Sequence, residues 1–465
     1  MGKTFRAYNL DQRLLLPPDM RQWLPEGHLA LFLVDVVSQL DLSGIMKVYE
    51  DGDGRGQPPY HPVMMVTLLL YAYCTGKPSS RRIERATFEE VAYRVVAGDQ
   101  HPDHDSIADF RQRHLPALAR LFVQVLQLCE AAGLVKLGHV ALDGTKVKAN
   151  ASKHKAMSYE RMCAKEKELE AEVARWLEQA QQVDAAEDAE YGKGRRGDEL
   201  PAELARRETR LRKIREAKAA LEAAARAQAE QVAAQAREKL AERARHEAET
   251  GKKVGGRPPQ VPDPEQAQPA PTAQRNFTDP ESRIMKDGAT KGFEQAYNAQ
   301  AAVDSTAQII VAAAVTQEAN DKQQLQPMLE KVKENCGRLP DKASADAGYF
   351  NTEHLTDETL TTVDLHVPPD RQKHGAAPPT TAAPSAADTS VVAQMRQKLQ
   401  TAAGQAVYKW RKAIVEPVFG QTKEVRGFRR FSFRGFIKVG AEWDLICLTH
   451  NLLKLWRAQR CPLAA

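Results

Sequence analysis

Residues 138–155 read GHVALDGTKVKANASKHK, and the change of text within them organises the whole chain. HVALDGTKV is strand-like, an apolar run entering a Gly-containing turn, and basic, polar residues follow it. Upstream, from about Leu29 to Leu134, apolar residues recur at three and four: Leu31, Val34, Val37 and Leu40, then Val66, Leu69 and Leu70, then Leu118, Leu121, Val125 and Leu128. That is the spacing of amphipathic helices. Gly, Pro and Asp break the period at DGDGRGQPPYHP (51–62), TGKPSS (75–80) and GDQHPDHDS (98–106). An all-helical domain over 1–135 is therefore expected, and a second domain begins at 136. Short helices joined in this way can build a helix-turn-helix reader of DNA.

Downstream, Ser158 to Thr250 is mostly Ala, Glu, Arg, Lys and Gln. Met162, Leu169, Val173, Trp176 and Ala180 keep a seven-residue rhythm in it. GKGRRGDELP (192–201) interrupts the pattern, and Leu204, Leu211, Ile214, Leu221 and Ala225 form a second seam that weakens toward its end. The prediction is a coiled-coil hairpin arm over 158–250. The Pro- and Gly-rich stretch after it, 251–274, is expected to be an extended or disordered linker, as is 370–390. Between the linkers lie strand-like AYNAQAAVD (296–304) and QIIVAAAVT (308–316), a helix starting near Asp321, a short apolar strand in KASADAGYF (342–350), a short helix and TTVDLHVPP (361–369). Helix resumes from about Val391. With the arm set aside, the order is strand, strand, strand, helix, strand, helix, strand, helix, which is that of a ribonuclease-H-like α/β fold. That domain is expected over 136–157 and 275–457, with the arm inserted between its first two strands.

A chain of 465 residues exceeds one ordinary domain, and a net charge of +5 is too small for the length to assign a nucleic-acid partner by itself. The six cysteines are scattered singly, without the paired spacing of zinc sites or the density of a disulfide framework, which fits a reducing cytoplasm. MGKTFRAYNL has no export pattern, and the apolar run Val63–Tyr73 falls short of the roughly 20 residues that span a bilayer. A soluble protein without membrane contact is expected. DGDGRG (51–56) puts Arg55 and Pro62 where a calcium loop needs ligands, and Gly76–Lys77 lacks the rest of a phosphate-binding loop. His101, His104 and His114 lie around a loop entering a helix and are not read as zinc ligands.

The chemistry-bearing residues are acidic. In the predicted sheet Asp143 ends the first strand and Asp346 the fourth, and Glu416 lies on a late helix that can reach the same point. Taken singly, the aspartates suit turn caps and Glu416, before Pro417, suits a helix end. Taken together in this order, they suit a centre whose mutual repulsion is relieved by divalent metal, with oxygen ligands favouring Mg2+ or Mn2+. Two such ions, about 3.5–4 Å apart, can activate a water or 3′-hydroxyl and stabilise the leaving oxygen of a phosphodiester. Asp321, where a helix starts, is read first as its N-cap, with a supporting acidic function as the alternative.

LDGTKVKANAS (142–152), ADAGYF (345–350) and YKWRKAIVEPVFGQTK (408–423) resemble the three signatures of DDE transposases from bacterial insertion sequences. GQPPYHPVMM (56–65) and PSSRRIERA (78–86) resemble the helical domain found ahead of them. The resemblance implies metal-dependent DNA cleavage and strand transfer, with Asp143, Asp346 and Glu416 as catalytic metal ligands. It implies that Tyr408, Arg411 and Lys423 hold phosphates beside the scissile bond. Four residues separate Arg411 from Glu416 where many relatives have three, so Lys412 competes for the role of Arg411. EVRGFRRFSFRGFIK (424–438) interleaves Arg426, Arg429 and Arg430 with Phe428, Phe431 and Phe433, which suits phosphate contact and base stacking; the alternative is an edge strand with its Phe side chains in the core. Lys146 and Lys148, beside Asp143, are counted with the DNA contacts. The expected partner is double-stranded DNA, both element ends and target, gripped by a homodimer in the synaptic complex and associated with the nucleoid. The competing functions are a DNA-binding repressor that does not cut and a structural coiled-coil protein.

Overall fold

Several helices begin where a side chain accepts from their first N–H groups. A computed structural model describes residues 19–50, 58–191, 202–251, 253–286, 292–370 and 390–460, apart from the side chains at 176, 177, 179–191 and 202–205. His28 Nδ1 accepts from Ala30 N at 3.1 Å ahead of α1 (Leu29–Val37). After α2 (Ser43–Glu50), His61 caps α3 (Pro62–Cys74), whose first position is Pro, the residue that lacks the orphan donor. Then come α4 (Ser80–Glu89), α5 (Val91–Val96) and α6 (His104–Ala131), the last capped by Asp103, which accepts from Ser106 N at 2.8 Å. The chain continues through β1 (His139–Lys148), β2 (Ala156–Ser158), α7 (Tyr159–Tyr191), α8 (Ala202–Thr250), β3 (Gln274–Asn276), β4 (Arg283–Lys286), β5 (Phe293–Asp304) and β6 (Ile310–Thr316). It ends with α9 (Leu325–Cys336), β7 (Lys342–Ser344), α10 (Thr352–Leu355), β8 (Asp364–His366), α11 (Val391–Gln400), α12 (Ala402–Gly420) and α13 (Phe436–Arg460). The fold is mixed α/β with a helical N-terminal region.

The described residues fall into two units, one up to Val147 and from Asn298 on, the other Lys148–Tyr297. In the first, the strands run in the order β6, β5, β1, β7, β8. β6 is antiparallel to the second half of β5 (Asn298↔Thr316 to Val303↔Ile310), whereas β7 is parallel to β1 and β8 to β7. Ile310–Ala313 are buried without alternation, as in a strand covered on both faces, and α9 and α13 both pack on β6. Asn451 of α13 accepts from Ile310 N at 2.9 Å and donates to Ile310 O at 2.8 Å, so a side-chain amide satisfies the edge where another strand would bind.

The helical region, expected as a domain of its own over 1–135, shares its core with α13. Leu445, Ile446, Leu448, Leu452 and Leu455 are buried on several sides of that helix, which packs against α6 and α3 as well as β6. Cys74 Sγ donates to Thr449 O at 3.6 Å, and Trp456 Nε1 donates to Gly27 O at 2.9 Å. Asp143 is also placed differently from expectation. The Gly-containing turn after it is continuous strand, so Asp143 lies in the middle of β1. The expected linker 370–390 lies outside the described residues but for its ends.

The second unit is built on the α7–α8 pair. Met162 and Leu169 of α7 bury against Leu211, Ile214 and Ala217 of α8, with Met157, Leu221 and Phe277 alongside. Charges flank the seam: Arg207 Nε lies 3.0 Å from Glu172, Arg215 Nη2 2.5 Å from Glu170 and Lys218 Nζ 2.8 Å from Glu166. Farther along α8 the seam thins to Ala233 and Ala236, both buried. The segment read as a linker, 251–274, is described from 253 on, and it runs back along α8. It makes one 3-10 turn, Pro264–Gln266, and buries Pro269, while Arg243 Nη2 donates to Val254 O and Gly256 O. Small alanines let an extended Pro-rich chain lie close, which a composition-based expectation of disorder misses. β2 pairs antiparallel with β3 (Ala156↔Asn276), and β4 with the first half of β5 (Arg283↔Ala296). Ile214→Ala, at 1% exposure, is expected to cost about 2–5 kcal/mol. It should speed hydrogen exchange in α7 and α8 together; exchange unchanged in both would remove this seam as the arm's core.

Candidate active site

Three aspartates from three separate elements meet beside the middle of the sheet. Asp143, on β1, accepts from Gly144 N at 2.9 Å through Oδ1, and Arg411 Nη1 of α12 lies 3.4 Å from its Oδ2. Asp346 follows β7 and caps the turn Ala347–Tyr349, accepting from Gly348 N at 2.8 Å. Asp321 precedes α9, and its Oδ1 accepts from both Asn298 Nδ2 and Gln300 Nε2 of β5 at 2.6 Å. Lys146 Nζ stands 4.0 Å from the same oxygen.

Burial, followed by the charges of Asp346 and Asp321, pushes the Asp143 carboxyl up to about 6, against the opposing pull of Arg411 and Gly144 N–H. Burial lowers the Lys146 ammonium, and the three carboxylates oppose that shift. The buried Tyr349 hydroxyl donates to Gln300 Oε1, and burial holds its proton well above the usual range. Gln300 also accepts from Trp443 Nε1 at 2.9 Å through its backbone, so one β5 residue braces Asp321, Tyr349 and α13.

Gly144 makes this crowding feasible. A Cβ there would lie 2.4 Å from Gln300 Nε2, 2.6 Å from Asp321 Oδ1 and 2.9 Å from Asn298 Oδ1. Gly144→Ala is therefore expected to displace Asp321 and Gln300, lowering DNA cleavage roughly 10–100-fold while stability changes by under about 2 kcal/mol. Cleavage at the wild-type rate would show that the packing around Gly144 is not needed.

The sequence-predicted residues divide. Asp143, Asp346, Arg411 and Lys146 come together, and the Tyr408 ring lies 5.7 Å from the Arg411 guanidinium. Glu416 is exposed on α12 and its side chain takes part in no hydrogen bond or ion pair among the described residues; Lys412 is exposed as well. The Arg411 side chain turns to the sheet at 7% exposure. Lys423 Nζ donates to Lys146 O at 2.7 Å, and Lys148 pairs with Glu294 at 3.2 Å. Arg429 is exposed and paired with Glu424, and Arg430 is exposed.

Arg426, expected to touch DNA, is instead buried. It donates to Thr449 Oγ1 at 2.8 Å, Thr422 Oγ1 at 3.1 Å and Ile446 O at 3.2 Å, and its guanidinium lies 5.2 Å from the Phe428 ring. Phe428 stacks on Tyr73 and Phe431 is buried, so these two rings are core, as the alternative held, while Phe433 and Phe436 are half-buried and residues 426–435 form a loop and not an edge strand. Alternating Arg and Phe fit either role, and only the packing on α13 separates them. Arg426→Met is expected to leave the salt dependence of DNA binding unchanged, where loss of a phosphate contact would reduce its slope by about 1.

Asn298, Gln300 and Tyr349 are not among the residues singled out from sequence, and Asp321 is singled out there only with an acidic function as the alternative to an N-cap. A signal existed: Asn298 and Gln300 are polar residues two apart among the Ala, Tyr and Val of 296–303, hence on one face. Asp321 does not cap α9, whose N-cap is Gln324 without a side-chain bond.

An all-oxygen donor set of this kind suits a hard divalent cation. Among the described residues no three acidic, His or Cys groups stand close enough to grip one ion as they are, and Arg411 supplies the cation beside Asp143.

Residues 18–113 match the family described as Transposase domain (DUF772), and residues 376–456 match that described as Transposase DDE domain. The chain belongs to the DDE transposases of insertion sequences. The transposase is thus an enzyme of DNA transposition, a metal-dependent cutter and joiner of DNA strands. Its DDE match takes in Tyr408, Arg411, Glu416 and Lys423, while Asp143, Asp321 and Asp346 lie outside both matched segments. Neither the curated proteins nor the solved structures contain a match to the transposase. No helix among its described residues is long and apolar enough to cross a membrane.

Proposed function

We propose that the transposase cleaves and transfers strands from a ribonuclease-H-like domain in which Asp143 and Asp346 bind two divalent ions, Mg2+ or Mn2+. The strand order β6, β5, β1, β7, β8, with three antiparallel-connected strands ahead of two parallel ones, supports the fold. One observation carries the site: Asp321 stands 2.6 Å from the Cβ position of Gly144, next to Asp143, and 3.6 Å from that of Gly348, where Asp346 lies at 2.9 Å, with the buried Arg411 at 3.4 Å from Asp143. Glu416 belongs to the set by resemblance alone.

Bound ions supply the activation of water or a 3′-hydroxyl and the stabilisation of the leaving oxygen. The chain's own residues hold and balance the centre. Arg411 stands 3.4 Å from Asp143 and offsets its charge, and its planar fork would serve a phosphate beside the scissile bond when Asp143 and Asp346 hold the ions. Tyr408 orients the guanidinium, and Lys423 with Lys146 sets a cationic border. Lys148, Arg429 and Arg430 extend the DNA contacts. The N-terminal helices contribute to end recognition. Two ends brought together call for a homodimer, working at the nucleoid.

The test is nicking of end-labelled duplex DNA carrying the element's terminal repeats by the full chain, with Mn2+ or Mg2+ against chelator. Cleavage and joining are expected only with metal. Binding without cutting under either metal would move the protein to the repressor role.

A further inference from the structure

We infer that Asp321 is a cation-binding carboxylate of the same centre, acting beside Asp143 and Asp346. This rests on the metal-dependent reading of the site. Its first support is orientation. Two amides from neighbouring same-face positions of β5, Asn298 and Gln300, both donate to Oδ1, fixing the carboxylate plane in a way that a solvated loop aspartate does not need. The second is direction. Oδ2 takes no hydrogen bond from a described residue and lies 3.6 Å from the Cβ position of Gly348, where Asp346 Oδ1 lies at 2.9 Å. Two carboxylate oxygens from different elements therefore flank one glycine that leaves the space between them open.

A third observation is independent of the acidic cluster. Asn298 is fully buried, and its Oδ1 has no hydrogen-bond partner among the described residues while lying 2.9 Å from the Cβ position of Gly144, beside Asp321. A buried carbonyl oxygen left without a donor is costly, and native proteins keep few of them. This one stands against Gly144, the residue next to Asp143, on the side where Asp321 Oδ1 also lies, and a hydrated cation there would bring donors. The ordinary role for Asp321, capping α9, is not the one it has: Gln324 holds the cap position. The exposed Glu416 does not fill this place either.

The experiment measures Mn2+ binding by the full chain, reading free Mn2+ from its electron paramagnetic resonance signal, for wild type, Asp143→Asn and Asp321→Asn. Both variants are expected to weaken Mn2+ at least about tenfold, with chelated samples melting as cooperatively as wild type. Wild-type affinity in Asp321→Asn beside a loss in Asp143→Asn would overturn the role of Asp321 and leave the metal centre standing. Wild-type affinity in both would overturn the centre itself. A second measurement needs no substitution: Fe2+ bound to the wild-type chain, with ascorbate and peroxide, should cut the backbone near residues 143, 321 and 346. Cuts at 143 and 346 without one near 321 would also overturn the inference.

Discussion

Asp143→Asn is expected to abolish strand cleavage and, at the same time, to stabilise the metal-free protein at pH 8. The loss follows from the place of Asp143, on a central strand with Asp346 and Asp321 around it and Arg411 at 3.4 Å. In the proposed role of Asp143, removing a carboxylate that holds divalent charge forfeits several kcal/mol of transition-state stabilisation, at least roughly 10^3-fold in rate. The gain follows from linkage. The folded carboxyl titrates near 6, above its unfolded value, so folding favours the protonated form. The stability this contributes is complete below the unfolded value, about pH 4, and is lost as pH rises through 6. At pH 8 the ionised side chain costs roughly 2–3 kcal/mol relative to the neutral one, and that balance already includes the attraction of Arg411. Asparagine imitates the neutral form. Melts in chelator should show wild type losing stability from pH 5 to 8 relative to the variant, whereas saturating Mn2+ should stabilise wild type alone. Persistent cleavage by the variant would remove Asp143 from the chemistry, and parallel melts at both pH values would remove the linkage.

Gly76→Ala is expected to destabilise the protein by about 3–4 kcal/mol without touching the carboxylates. Gly76 follows α3 with φ +73°, a left-handed conformation that costs a residue with a Cβ about 1–2 kcal/mol. Its Cβ would also lie 2.6 Å from Arg426 O and 3.1 Å from Arg426 C and Cα, which are backbone atoms held by a buried arginine and cannot swing aside. Forcing backbone apart in a packed region adds about 1–3 kcal/mol. Gly98→Ala separates the two costs, because Gly98 has φ +57° and nothing within 4 Å of its Cβ position. Urea unfolding should show that control losing only about 1–2 kcal/mol. Equal losses in the two variants would mean that the approach of Arg426 to Gly76 adds nothing.

Both predictions depend on contacts between residues far apart in the chain, and that marks what was legible in the sequence. By itself it determined the elements: the strand-like stretches at 296–304 and 308–316 fall in β5 and β6, the heptads at 158–250 in the α7–α8 pair, and the three-and-four spacing upstream is helical. It also offered Asp143 and Asp346 as candidates by element order and resemblance, and Arg411 by resemblance alone. These are local properties, since the period of apolar residues follows from backbone geometry alone. Tertiary structure alone decided which side chains face one another. It turned Asp321 toward Gln300 instead of the start of α9, left Glu416 exposed, drew Arg426 into the core against α13 and laid a Pro-rich segment along α8. Arg and Asp look the same in sequence whether solvated or buried. Their role is set by the desolvation and pairing that packing imposes, and those arise only when β1, β5, β7 and α12 are assembled.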